Sequence, residues 1–299
     1  MNKRYGALLL VAVVAVMVSL AIGTNLPGRV FAMKPEFLVF GQTSGGTGGG
    51  GGGGQTGTGG STTLIRVIPQ IAVGDLEGSG RYSTTVQIIN SGTAAVTVQG
   101  EFFKQDGTAS AINLRTNMTS VPPFAGTLNS VSLPPNGILI LTADTDRTFA
   151  IAWGRITTTA AVTVSTVFEI RDPSSSALVS RVGVTPSAPD MAKFVIPRIR
   201  NVQTGFDVGF ALVNAGSTSA TIAATLVGSS GQTLGSRNLT LAARNHTAQF
   251  AREFFTLPNE PSDTSYSFVV FESTAAQFAA IALAFEGPTQ TSFPVDRIR

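Results

Sequence analysis

The sequence predicts an all-β fold: two tandem homologous antiparallel β-sandwich (Ig-like) domains after a signal peptide and a Gly-rich linker. Three observations carry this expectation. One stretch occurs twice: Ile88-Ile89-Asn90-Ser91-Gly92 returns as Leu212-Val213-Asn214-Ala215-Gly216, a spacing of 124 (214 − 90) that also carries Gly107 onto Gly231. The segments beyond these turns alternate with period two, so that Val96, Val98, Gly100 and Phe102 correspond to Ala220, Ile222, Ala224 and Leu226. Such alternation marks strands with one buried and one wet face. Finally, a chain of 299 residues with 43% hydrophobic and only 12% charged residues can build two cores under a hydroxyl-rich surface.

Residues 1–32 have the parts of a secretory signal: Lys3 and Arg4, an apolar run from Ala7 to Ile22, then a polar stretch closing on Val30-Phe31-Ala32. The run has 16 residues. As a helix it would measure about 24 Å, short of the roughly 30 Å hydrocarbon core, which favours cleavage after Ala32 over retention as an anchor. Residues 33–63 join a short apolar segment, Phe37-Leu38-Val39-Phe40, to a linker with an unbroken glycine run from Gly48 to Gly54. Glycine loses most backbone entropy on ordering and buries no side chain, so a flexible tether is expected.

The first domain is assigned to residues 64–189 and the second to 190–299. Both open on Ile-Pro: Ile68-Pro69 and Ile196-Pro197. Proline removes a ladder donor, which places each opening strand at an edge or a bulge. A longer loop, Val73 to Arg81, follows in the first domain. Later strands are expected at 138–141, 149–155, 161–170 and 177–184, and at 247–250, 266–272, 278–285 and 291–295, giving seven or eight per domain. Ala251-Arg252-Glu253-Phe254-Phe255 reads as one helical turn. The short, proline-bearing junction Pro186 to Pro189 restricts the angle between the domains.

Charge argues against nucleic acid as a partner. Residues 1–32 hold three basic residues and no acid, and without them 17 basic residues (20 − 3) balance 17 acidic ones. Phosphate recognition needs a clustered basic surface, and no Lys/Arg run longer than a pair occurs. Zero cysteines exclude disulfides, thiolate metal sites and a cysteine nucleophile.

Candidate chemistry is sparse. His246, the only histidine, lies in a turn leading into a strand and is expected at the surface. Asp144-Thr145-Asp146 has half the oxygens of a calcium loop but not its later ligands, and Gly74 to Gly80 lacks the Lys-Ser/Thr of a phosphate loop. Asp75, Glu77, Glu101, Glu169 and Asp172 are the acids available for paired-carboxylate chemistry, with no spacing that selects a pair. The acceptor pattern for N-glycosylation occurs at Asn117, Asn238 and Asn245. Phe102, Phe103, Phe210, Phe268, Phe271, Phe278 and Phe285 fall on strands and are read as core. Trp153, the single tryptophan, is the one residue singled out for ligand binding: an exposed indole on a strand would offer a platform for a sugar ring, against the alternative of a core position. No catalytic, cofactor-binding or metal site is expected.

The paired Asn-x-Gly turns, the Ile-Pro openings, the Ala152-Trp153-Gly154-Arg155 segment and the closing prolines Pro186 and Pro294 resemble those of uncharacterised secreted bacterial proteins with paired all-β repeats. The resemblance implies export and a β-sandwich architecture, and no activity. The resulting expectation is a non-catalytic exported adhesion or envelope structural module, extracellular, cell-surface or periplasmic. Its partner would be an envelope or extracellular polymer or protein, and the membrane would be touched only through an uncleaved N-terminal segment. The alternative is an extracellular carbohydrate-binding module.

Overall fold

The computed structural model describes residues 63–77, 80–143, 147–256 and 265–298. The expected signal peptide, the apolar segment 33–40, the glycine run and Asp144-Thr145-Asp146 lie outside them. The chain is all-β, with several antiparallel sheets, one of them nearly closed. In chain order the first half contains β1 (Leu64–Leu76), β2 (Gly80–Ile89), β3 (Val96–Phe103), β4 (Asn113–Thr116), β5 (Phe124–Ala125), β6 (Thr127–Leu133), β7 (Ile138–Ala143), β8 (Ala150–Thr158), β9 (Thr163–Arg171) and β10 (Leu178–Val184). The second contains β11 (Lys193–Arg200), β12 (Asp207–Asn214), β13 (Ala220–Gly228), β14 (Thr233–Leu241), β15 (His246–Phe250), α1 (Ala251–Phe255), β16 (Ser265–Glu272), β17 (Phe278–Glu286), β18 (Thr289–Phe293) and β19 (Asp296–Arg297).

Strand order follows one plan in both halves. In the first, β1-β8-β3-β6 form one layer and β10-β9-β2-β7-β4-β5 the other, with β1 belonging to both. In the second, β11-β16-β13-β14 and β18-β17-β12-β15 are separate sheets with the corresponding orders. The first core gathers Ile68, Val86, Phe102, Leu128, Leu141 and Ile156 between its layers, and the second gathers Phe194, Ile196, Phe210, Leu226, Phe271 and Phe278.

The opening prolines sit where a missing donor is tolerated. Pro69 falls in the bulge of β1 between Ile68 and Ile71, and Pro197 lies beyond the two-residue partner β19 on the outer side of β11. The expected loop 73–81 is instead the end of a hairpin, since β1 continues to Leu76 and β2 begins at Gly80. Glycine permits this: Gly74 has φ +94°, and a Cβ there would lie 2.2 Å from the Thr148 carbonyl oxygen. Strands β4, β6 and β14 were not foreseen, their segments being rich in Ser, Thr and Asn. The helical turn at Ala251–Phe255 forms as expected. The Glu253 carboxylate accepts the Phe250 N–H at 3.4 Å, and the Arg237 guanidinium donates to the Phe254 carbonyl at 2.7 Å.

Period two does not give every strand a wet face. β12 is buried along all eight residues, and β17 along its first seven. The second face of each is covered by the first half. Phe168 and Val182 share a cluster with Ala211, Ala248, Ile281 and Leu283, while Val67, Phe103 and Trp153 join Val213 and Ala279. Small residues on β12 and β17, among them Gly209, Ala211 and Ala279, leave room for side chains of the first half on this face.

Candidate functional site

The Asn-x-Gly stretch builds the same polar device twice. Asn90 is fully buried, and its Nδ2 donates to the carbonyls of Ala94, Leu133 and Pro134 at 2.8, 3.1 and 3.0 Å. Asn214, equally buried, donates to Thr218, Leu241 and Ala242 at 2.8, 2.9 and 3.0 Å. In both turns Oδ1 accepts the N–H of the following glycine, Gly92 or Gly216, at 3.0 Å. A carboxamide carries both acceptor and donors, so one side chain satisfies a turn and an adjacent strand end. The next turns correspond as well: Gly107 N–H donates to Lys104 and Gly231 N–H to Gly228, with φ +79° and +83°.

These turns lead to the junction between the halves. Trp153 is 0% exposed, stacked on Phe103 at 4.6 Å, and donates Nε1–H to the Arg244 carbonyl at 2.9 Å. The Arg244 guanidinium lies 5.3 Å from the Phe103 ring centre. Trp153 therefore presents no ring face to a sugar and instead closes the junction. A Cβ on Gly107 would stand 2.9 Å from the Ala243 carbonyl, so only glycine fits there. Close by, Val67 and Ser187 exchange backbone hydrogen bonds at 2.8 and 3.2 Å, fastening the proline-bearing segment to β1.

His246 is not at the surface. Its N–H donates to the Gln105 carbonyl of the first half at 3.0 Å, and its side chain is buried. Burial pushes the imidazole down to about 3, against the smaller opposing effect of the Pro69 carbonyl. Neither ring nitrogen completes a hydrogen bond of good geometry, so this is a neutral interface histidine with no carboxylate behind it among the described residues.

The candidate acids are engaged separately. Asp75 binds Arg81 at 2.6 Å, Glu101 binds Arg155, Glu169 binds Arg171 and Arg181 at 2.8 and 2.6 Å, and Asp172 accepts from Ser174 and Ser175 within its own turn. Glu77 is exposed at the β1–β2 turn. Among the described residues no group of three or more His, Cys, Asp or Glu is placed to hold a metal ion. Of the glycosylation-pattern asparagines, Asn117 uses its carboxamide on the Ile138 carbonyl and Ile140 N–H, while Asn238 is exposed on β14.

No family model matches the chain, and no curated protein matches it.

Three features were not singled out from the sequence. One is a buried ionic cluster: Arg200 and Arg252 each approach Asp207 to 3.4 Å, and Arg198 approaches it to 3.9 Å. Burial pushes the Asp207 carboxyl up, against the pull of the three guanidiniums. Another is a cleft of about 770 Å³ at the junction, with Met191, Ala280, Ile281 and Phe293 on its walls and the Arg297–Asp190 ion pair near its rim. The third is the outer face of the β11–β16 sheet. Tyr266 is 61% exposed there and Phe268 only half-buried, which corrects the reading of Phe268 as core. Phe285, also read as core, is half-buried, whereas Phe102, Phe103, Phe210, Phe271 and Phe278 are buried. The signal was present in Tyr266-Ser267-Phe268-Val269-Val270-Phe271, where apolar residues occupy both parities.

Proposed function

We propose that this chain is an exported, non-catalytic adhesion or envelope structural module made of two tandem homologous Ig-like β-sandwiches carried behind a glycine-rich tether. The observation that bears most weight is the apolar junction, where Trp153, Phe103 and Val67 close on the β12–β17 sheet of the second half. Domains joined by small polar interfaces move against each other, whereas a large apolar interface holds them as one body. A stiff body on a tether suits a spacer or attachment element. The repeated asparagine device and the matching strand orders support common descent of the halves. The test is retention of the exported chain on whole-cell envelopes and on a panel of polysaccharides. Saturable retention on envelopes, without saccharide dependence, is expected; absence of retention on any envelope would remove the adhesion reading.

Carbohydrate binding is the second reading, and the exposed Tyr266 beside Phe268 favours it, in place of the buried Trp153. Aromatic side chains on an open sheet offer flat apolar area with a polar edge. Saturable binding to one glycan, lost in Tyr266→Ala with the fold intact, would place this reading first.

A further inference from the structure

Among the described residues, the outer face of the β11–β16 sheet is apolar and open. Val195, Pro197 and Ile199 of β11 stand opposite Val270, Phe268 and Tyr266 of β16, with Val227 of β13 opposite Phe268 on the far side. Charge is kept to one margin, where Lys193 pairs with Glu272 at 3.1 Å and Asp296 lies opposite Val195. Contiguous apolar faces of this kind mark association sites.

The corresponding face of the first half already has an occupant. Trp153 lies opposite Phe103 as Phe268 lies opposite Val227, and Val67 lies opposite Arg155 as Val195 lies opposite Val270. Val67, Phe103 and Trp153 are buried in one cluster with Val213 and Ala279 of the second half. In its covered copy, this face takes another β-sheet as its partner.

We propose that the outer face of the β11–β16 sheet is a self-association surface on which a second copy docks its own identical face across a two-fold axis. The proposal rests on the tandem reading above. Head-to-tail stacking would instead place this face on the first-half sheet that corresponds to β12–β17. There Thr85, Gln87 and Ser165 replace Gly209, Ala211 and Ile281, and Glu169 is held by Arg171 and Arg181. An apolar face laid on those groups would strip their water without replacing it. Two copies of the β11–β16 face bury apolar surface on both sides, and a two-fold arrangement closes at the dimer. Beyond residue 32 the formal charge is balanced, so no net repulsion opposes the approach.

Sedimentation velocity of the exported chain over rising concentration tests this, comparing wild type, Val270→Lys, Tyr266→Asp and a control, Val167→Lys, on the opposite half. A monomer–dimer equilibrium that stops at the dimer is expected. Both face variants should weaken it by at least about 30-fold, with the control unchanged and all thermal transitions retained. The exposed position of Tyr266 keeps the test valid should Val270→Lys fail to fold. A monomer at every concentration overturns the proposal, as does growth past the dimer or a dimer indifferent to both face variants. Loss of the dimer on deleting residues 33–40, with Tyr266→Asp harmless, would assign the contact to strand donation instead. A monomer that still unfolds as one unit would remove this inference and leave the tandem module standing.

Discussion

Asn214 shows how much one polar side chain can hold. Replacing it by Ala strands three carbonyls, of Thr218, Leu241 and Ala242, in a buried setting. Asn214→Ala should therefore cost about 2–4 kcal/mol in denaturant unfolding, and Asn90→Ala a similar amount. His246 adds a pH dependence. Its ordinary value is 6.5, and in the folded protein burial lowers it to about 3, so between these limits the unfolded chain binds more protons. Stability is full above pH 6.5 and falls as pH drops toward 3, by on the order of 4 kcal/mol. Asp75, held below the usual carboxylate range by its hydrogen bond from Arg81, gives up its own contribution only at lower pH. Glu169 does likewise: burial opposes its ionisation, and the Arg171 and Arg181 guanidiniums overcome that. The loss of stability as pH falls from 6.5 to about 5 thus has the sign of His246. Asp207 and Glu253, pushed up by burial, act in the opposite sense over their own range and only reduce the slope. His246→Phe should flatten it, and an unchanged slope would show that the imidazole is not the group responsible. The sequence could not place this residue, because the groups it meets, the Gln105 carbonyl at its backbone and the Pro69 carbonyl near its ring, lie far away along the chain.

At the scale of the element, the strands were legible where composition and period agreed. The strands at 138–141, 149–155 and 266–272 appear within a few residues of their expected bounds, as does the helical turn before residue 256. β14 and β6 were not seen because Ser, Thr and Asn fill them, and pairing to β13 and β3 decides their conformation. β12 and β17 carried a signal that period two alone does not weigh: Phe278-Ala279-Ala280-Ile281-Ala282-Leu283 is apolar at both parities, which marks a strand covered on both faces. Glycines within strands also mark close approach. Cβ atoms at Gly100 and Gly154 would each stand 2.9 Å from the Phe102 ring. Gly154→Val should displace that ring and cost about 1–3 kcal/mol as overpacking. A thermal midpoint equal to wild type would contradict the close contact at Phe102.

For the whole molecule, the junction between the halves is part of the folding unit. Two domains on a hinge would unfold separately, whereas halves sharing Trp153, Phe103, Val213 and Ala279 in one core lose that core together. The site was less legible than the fold, since Tyr266 and Phe268 gain meaning only when their face stays open among the described residues while the second half covers Trp153. Because Trp153 is the only tryptophan and is buried at the junction, its fluorescence reports the interface alone, while far-UV circular dichroism reports all the strands. Both signals followed through one denaturant titration give the most direct test. A single transition with coincident midpoints is expected. A fluorescence change that precedes the loss of strand signal, leaving two folded halves apart, would contradict the interlocked module.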